Sequence, residues 1–253
     1  MIRSISILVI AFELHAADVA LLRKAGARVE AFQDQFQAVT CTERLVQTKL
    51  GENGKAIIRK ESAFDYLVVF QVKDGDLAVD ESRVLRGKPE KAGDQALLAT
   101  SGFSTLLLIF HPLYRDDFRF IPQGPDPLTK LERVRFEHIH GKRSPSVLEL
   151  RGRNYPIDWQ GTAWIDEASG NIARIDAGIE SPMDDVGLKK LETDVRYAPV
   201  HFASAPDFSS WLPQTAIIEA GTVHQHWRNE HQFTQYRQFA VDTSSETEAP
   251  KQQ

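Results

Sequence analysis

The sequence predicts a mainly β protein of the α+β class, in which a strongly curved antiparallel sheet forms an unclosed β-barrel covered by helices. After residue 38 the apolar residues recur with a period of two, as in Leu188–Tyr197, and such alternation gives a strand one dry and one wet face. Polar turn clusters such as Asp166–Gly170 separate the alternating runs. No interdomain linker interrupts the roughly ten predicted strands, so residues 18–243 are predicted to be one domain.

Composition and charge exclude several classes of protein. The chain has 253 residues, with 30 Lys and Arg against 35 Asp and Glu, and a formal net charge of −5. It has no basic block to neutralise phosphates, so nucleic acid is not expected as a partner. The single cysteine, Cys41, excludes an internal disulfide and a multi-thiolate metal site. No cofactor is predicted.

The first 17 residues are predicted to be a secretory signal peptide. One positive charge, Arg3, precedes a short apolar run, Ser4–Phe12, and small residues follow it. The alternative is a buried first strand, because apolar residues alternate within the same run. The run is too short to span a bilayer, which takes about 20 residues. We therefore expect a soluble, exported, periplasmic protein, with residues 244–253 as a disordered tail.

Two helices are predicted. The first begins at Asp18, a helix cap, and carries an apolar stripe at spacings of three and four, formed by Leu22, Ala25, Val29, Phe32 and Phe36. The second, Gly93–Phe110, is apolar over most of its circumference and stops before Pro112. Such a helix must be covered, either by the protein core or by a bound apolar ligand.

Strands are predicted along most of the remaining chain. Lys55–Val72 is predicted to hold two strands, and Leu128–His140 one strand. A hairpin is predicted from Trp159–Ile165 and Asn171–Ile179 around the turn at residues 166–170. Near the end of the chain, Thr222–Arg228 and Phe233–Val241 are predicted as separate strands.

The hairpin region carries a resemblance to a known family. Tyr155–Glu180 reads YPIDWQGTAWIDEASGNIARIDAGIE, which is similar to the hairpin of the LolA/LolB-like superfamily, where Gly-x-x-Trp-Ile-Asp leads into a turn and a second strand. The resemblance implies an unclosed barrel that holds the acyl chains of a lipid or lipoprotein without catalysis. It also implies an arginine on an early strand that latches the helical lid, for which Arg44 is the nearest candidate.

An apolar ligand would lie between the concave sheet and the apolar helix. Its predicted lining residues all lie on apolar rows: Phe103, Leu106, Phe110, Phe118, Phe120, Phe136, Ile175, Val195 and Tyr197. Binding would depend on apolar area removed from water, at about 25 cal/mol per Å².

Two other functions remain open from the residues. His138 and His140, and likewise His224 and His226, are spaced at i and i+2, so two such histidines plus a third could hold zinc in a hydrolase. The other alternative is an interaction scaffold, in which the wet face of the sheet docks an envelope protein.

Overall fold

The computed structural model of the protein describes residues 19–31, 39–73, 76–87, 105–150, 152–202 and 205–238. The predicted signal peptide, the predicted tail, and Phe32, Phe36 and Phe103 lie outside these residues. Helix α1 spans residues 19–31. The strands are β1 Val39–Leu50, β2 Ala56–Lys73, β3 Asp76–Leu85, β4 Phe118–Pro125, β5 Glu132–His138, β6 Val147–Leu150, β7 Arg153–Pro156, β8 Trp159–Ile165, β9 Ile172–Ile179, β10 Lys190–Phe202, β11 Ala205–Gly221 and β12 His226–Gln238.

Ten of these strands form one antiparallel sheet, which confirms the mainly β architecture. Their order is β3-β2-β1-β12-β11-β10-β9-β8-β5-β4, and β6 and β7 form a separate small hairpin. Most neighbours are joined by short turns, as expected for a meander. The pairing of β1 with β12 is different, because these strands are far apart in the sequence. It places Val39 opposite Gln238. The first and last described strands are therefore neighbours.

Two of the predicted strand boundaries are wrong. Lys55–Val72 holds one continuous strand, because β2 pairs first with β1 and then with β3 without interruption. The predicted strands at 222–228 and 233–241 are replaced by a turn at residues 222–225 and the continuous strand β12. In both regions pairing with a partner strand decides where the strand begins and ends, which local periodicity does not report.

The sheet has an inner face, whose side chains are buried in one cluster, and a solvated outer face. Val195 and Tyr197 are buried on the inner face, whereas Asp194 and Arg196 form an ion pair on the outer face. The predicted alternation of β10 is thus confirmed. Nine strands of the ten-stranded sheet place buried apolar side chains in this cluster, and Leu77 of the tenth strand, β3, packs against it.

Helix α1 packs on the inner face and against the turn between β8 and β9. Ala25 and Val29 are buried and Leu22 packs beside them, which confirms the described part of the predicted stripe. Lys24 Nζ donates a hydrogen bond to the Glu167 carbonyl oxygen at 3.0 Å, and Arg28 Nε donates to that of Ser169 at 2.9 Å. These bonds fix the helix at one end of the sheet.

The described part of the second predicted helix, Thr105–Phe110, is a buried 3-10 helix. One continuous α-helix over Gly93–Phe110 is therefore not confirmed, and residues 93–104 lie outside the described chain. The buried 3-10 helix packs into the same core cluster as α1. In the described part of the chain, no helix combines the length and the apolar character that crossing a membrane requires.

Candidate ligand-binding face and buried polar sites

The structure brings eight of the nine predicted lining residues into one apolar cluster, and the ninth, Phe103, is not described. Seven are buried and Phe120 packs against them. They come from the 3-10 helix and from strands β4, β5, β9 and β10. The ring centroids of Phe110 and Phe120 are 5.2 Å apart, and those of Phe110 and Phe136 are 6.0 Å apart. The apolar rows that predict the lining thus converge on one surface, which we call the apolar face.

Strand register explains why these residues meet. Phe136 of β5 lies opposite Gly161 of β8, which lies opposite Ala177 of β9, which in turn lies opposite Thr193 of β10. A Cβ atom on Gly161 would stand 2.8 Å from the tip of the Phe136 ring and 2.1 Å from the Asp176 carbonyl oxygen. The glycine of the Gly-x-x-Trp-Ile-Asp sequence therefore leaves the space next to the β8 backbone that the tip of the Phe136 ring occupies.

Trp159 and Thr193 add polar atoms to this otherwise apolar surface. Both residues are buried on the inner face. Neither the Trp159 Nε1 nor the Thr193 Oγ1 atom has a hydrogen-bond partner among the described residues. A buried donor left without a partner costs about 1–3 kcal/mol, so these two atoms mark places where the fold retains polar groups at some expense of stability.

The tryptophan of the same motif lies on the outer face and has a structural role. The Arg174 guanidinium stacks 4.3 Å from the centre of the Trp164 ring, and Trp164 Nε1 donates to Asp126 Oδ2 at 3.3 Å. The hydrogen bond from the Thr129 backbone, together with the Trp164 indole, lowers the pKa of Asp126 to about 2. Trp164 therefore joins the β8–β9 hairpin to the turn between β4 and β5.

The β4–β5 turn and the β8–β9 turn are held by the same type of hydrogen bond, which was not predicted from the sequence. In one, Asp126 Oδ1 accepts from the Thr129 backbone at 2.9 Å; in the other, Asp166 Oδ1 accepts from the Ser169 backbone at 2.7 Å. The signal was present in the sequence as Asp-x-x-Thr and Asp-x-x-Ser, each placed between two alternating runs.

Arg44 lies on the outer face of β1, on the side opposite the cluster that contains α1. Its Nε donates to Glu61 Oε1 at 2.6 Å, and the side chain is half exposed. The structure therefore describes Arg44 in a surface ion pair, and its latch role stays a prediction.

Two of the predicted metal-ligating histidines share one carboxylate. His138 Nδ1 lies 2.7 Å from Asp158 Oδ1, and His140 Nδ1 lies 2.8 Å from Asp158 Oδ2. Partial burial raises the pKa of Asp158, but the hydrogen bonds from His140 and His138 outweigh it and hold that pKa below its usual range. The hydrogen bond to Asp158 in turn raises the pKa of His140.

Both ring nitrogens of His138 have hydrogen-bond partners. Its Nε2 lies 3.0 Å from the Arg143 carbonyl oxygen, which can only accept, and its Nδ1 faces an ionised carboxylate. Both ring nitrogens of His138 are therefore engaged in hydrogen bonds within the described residues.

The four histidines do not converge. His226 Nε2 lies 3.3 Å from Glu219 Oε2 at the start of β12, whereas His224 lies in the preceding turn. Strand β12 is separated from β5, which carries His138, by β11, β10, β9 and β8. In the part of the chain that the structure describes, no group of three His, Cys, Asp or Glu residues could hold a metal ion. The predicted zinc arrangement is therefore not formed by these residues.

A buried polar cluster on β1, β3 and β12 is a second feature that the sequence reasoning missed. Glu43 and His231 have fully buried side chains, and His231 Nδ1 lies 2.6 Å from Glu43 Oε1. Arg83 Nε donates to Glu43 Oε2 at 2.6 Å, and its guanidinium lies 4.7 Å above the Tyr66 ring centre. Glu43 interrupts an apolar row that Cys41 and Leu45 otherwise continue, and this misplaced charge was the available signal.

The charge states in this cluster follow from its contacts. Burial raises the pKa of Glu43, but hydrogen bonds to His231 and Arg83 outweigh it and lower the pKa below its usual range. Burial lowers the pKa of His231. We therefore describe the cluster as an Arg83–Glu43 ion pair to which a neutral imidazole donates its Nδ1 hydrogen. Burial also raises the pKa of the neighbouring Cys41 to about 12, so its thiol stays protonated and unreactive.

Comparison with known proteins adds no relative. No protein-family model matches the chain, and no curated protein matches it.

Proposed function

We propose that this chain is a non-enzymatic binding protein that holds an apolar ligand, a lipid or the acyl chain of a lipoprotein, against the inner face of a half-barrel. The observation that carries this proposal is the convergence of eight predicted lining residues on the apolar face. The covering elements would be α1 and the segment that ends at Phe110. The proposed place of action is the periplasm, after removal of residues 1–17.

One contact supports the half-barrel. Ten strands spaced at about 4.8 Å would place the two edge strands of a flat sheet about 43 Å apart. Tyr114, four residues before edge strand β4, has its hydroxyl group 3.5 Å from the carbonyl oxygen of Leu77 in the opposite edge strand, β3. This contact between a residue near one edge and a residue of the other edge strand supports the proposal of a strongly curved sheet with a concave inner face.

An acyl chain is a suitable ligand on energetic grounds. Transfer of a 16-carbon chain from water to the apolar face would contribute of the order of 10 kcal/mol, at about 0.8 kcal/mol per methylene, before ordering costs and before displacement of the helices that pack in the same buried cluster. The aromatic side chains Phe110, Phe118 and Phe136 supply large apolar area with few rotatable bonds. No polar contact is needed for most of this affinity.

The outer face is less suited to docking a partner. Its charges are paired within the sheet: Arg135 with Glu137, Arg174 with Asp194, and Arg228 with Glu219. A docking protein would have to desolvate or displace these pairs. The scaffold alternative therefore has less support than the apolar face.

Adjacent residues on β4 give a matched test. Phe120 packs against the buried cluster, whereas its neighbour Ile121 is exposed. We expect the folded wild-type protein to bind cis-parinaric acid saturably, measured by fluorescence. Phe120→Gln should weaken this binding about fivefold or more, because it removes aromatic area from the apolar face, and Ile121→Gln should change it less than about twofold. Absence of saturable binding by the wild-type protein would contradict the proposal.

A further inference from the structure

Trp159 and Thr193 stand on either side of β9 on the inner face. The register places Thr193 opposite Ala177 and Ala177 opposite Gly161, while Trp159 lies opposite Ile179 in the next row. The row that leads from Thr193 across β9 and β8 carries the small side chains of Ala177 and Gly161, and Ile179 lies beside Trp159. Both therefore border the same stretch of the inner face, next to the lining residues Phe136 and Ile175.

The chemistry of Trp159 Nε1 and Thr193 Oγ1 restricts which group could form hydrogen bonds with them. An indole N–H only donates, and a threonine hydroxyl can donate or accept. Buried tryptophans ordinarily find an acceptor for this hydrogen, yet Trp159 Nε1 has none among the described residues. The missing partner is therefore an acceptor.

The surroundings favour a neutral acceptor. Burying a carboxylate or phosphate requires a paired cation. The nearby Lys190 is already engaged by Glu192 at 2.8 Å and Glu219 at 3.1 Å, and it lies on the outer face. A carbonyl oxygen needs only a hydrogen-bond donor, and it occurs in acyl lipids next to the long apolar chain.

We propose that Trp159 and Thr193 form a carbonyl-binding subsite, in which the indole N–H and the hydroxyl group donate to the ester or amide carbonyl of a bound acyl chain. This inference rests on the proposed function, and it narrows the ligand from any apolar molecule to one with a carbonyl at the head of its chain. The apolar face would supply affinity, and the subsite would supply selectivity and fix the position of the chain.

A pair of lipids that differ only in this carbonyl tests the inference. Dipalmitoyl phosphatidylglycerol carries ester carbonyls, and its dihexadecyl ether analogue lacks them. We expect the wild-type protein to bind the diester about tenfold more tightly, because the ether leaves both protein donors unsatisfied. A dipalmitoylated lipopeptide, compared in parallel with its own dihexadecyl ether analogue, distinguishes a lipoprotein anchor from a free phospholipid; preference for ester over ether in either pair supports the subsite.

Three variants assign the preference to these residues. Trp159→Phe keeps the aromatic ring and Thr193→Val keeps the shape, and each should reduce the ester preference to less than about threefold while ether binding stays the same. Trp164→Phe, on the same strand but on the outer face, should leave the preference intact. In ¹⁵N NMR spectra, the Trp159 indole resonance should shift with the diester and not with the ether.

The outcomes separate this inference from the proposed function. Equal binding of ester and ether lipids by the wild-type protein, or an undiminished preference in folded Trp159→Phe and Thr193→Val, would overturn the subsite and leave lipid binding intact. Failure of the folded wild-type protein to bind either lipid would overturn the proposed function, and the subsite with it.

Discussion

Glu43 is the central residue of the buried polar cluster on β1, β3 and β12. It joins Arg83 of β3 to His231 of β12, so one carboxylate links three strands. A buried ion pair contributes little net stability compared with an apolar replacement of both partners. Removal of Glu43 alone takes a buried acceptor from His231 and leaves Arg83 with Glu81, at 3.0 Å, as its buried counter-ion. The cluster therefore makes the pairing of these strands sensitive to a single substitution.

Glu43→Ala should lower the free energy of unfolding by about 1–3 kcal/mol, because His231 loses its Glu43 acceptor and Arg83 loses one of two buried counter-ions, keeping Glu81 at 3.0 Å. Urea denaturation monitored by circular dichroism measures the change. Glu61→Ala removes a carboxylate from the same part of the sheet, but one whose ion pair with Arg44 is solvent-exposed, and should have little effect. A Glu43→Ala protein as stable as Glu61→Ala would show that the cluster contributes no such linkage.

The exposed His140 should give the protein a measurable pH dependence. Its pKa is raised by Asp158, so its contribution to stability is complete below pH of about 6.5 and is lost as the pH rises through the folded-state pKa. The pKa of Asp158 is lowered, so its contribution is present above pH of about 4 and is lost as the pH falls through the folded-state pKa.

We therefore expect the slope of the free energy of unfolding against pH, between pH 6 and pH 8, to be more negative in the wild-type protein than in His140→Ala, while His231, whose pKa is lowered, contributes a slope of opposite sign to both proteins. Denaturant titrations at half-unit pH intervals measure both slopes. His224→Ala, which removes an exposed turn histidine, is the control and should keep the wild-type slope. Identical slopes in His140→Ala and the wild-type protein would rule out this contribution.

At the scale of elements, the docking of α1 depends on the glycine that ends the β8–β9 turn. Gly170 has a φ of +75°, and a Cβ atom there would stand 2.7 Å from Lys24 Cβ and 2.8 Å from the Lys24 carbonyl carbon. An alanine would therefore meet both an unfavourable backbone conformation and the helix itself.

Gly170→Ala should lower the free energy of unfolding by more than Gly54→Ala, which changes a turn glycine with a φ of +73° and no atom within 4 Å of its Cβ position. The Gly54 variant measures the backbone contribution alone, about 1–2 kcal/mol. Faster amide hydrogen exchange in residues 19–31 should accompany Gly170→Ala only. Equal destabilisation with unchanged exchange in α1 would contradict the contact.

Local pattern was enough to predict some elements and not others. The hairpin of β8 and β9 was predicted to within one residue, because strict alternation flanks a polar turn. The length of β2 was missed, because its two halves pair with different strands. The pairing of β1 with β12 joins residues nearly 200 positions apart, such as Val39 and Gln238, and no local periodicity encodes such a pair.

At the scale of the whole molecule, the apolar face could be predicted from local sequence pattern, whereas the buried polar sites could not. Six of the eight lining residues could be predicted because apolar residues at every second position of a strand lie on one face of the sheet, and the other two, Leu106 and Phe110, because their segment is almost continuously apolar. The Glu43–His231 contact spans 188 residues, and the orphaned Trp159 and Thr193 atoms are recognised only once the packing around them is known. Apolar surfaces are encoded locally, whereas buried polar sites depend on which strands become neighbours.

The central claim is that the inner face of this sheet holds an acyl lipid. The most direct measurement is quantitative mass spectrometry of lipid extracted from the freshly purified, folded protein, prepared without detergent. The account predicts about one acyl lipid per chain, and less in Phe120→Gln than in Ile121→Gln. An extract with no lipid above the solvent blank, from wild-type protein that also takes up no lipid when it is supplied, would contradict the account.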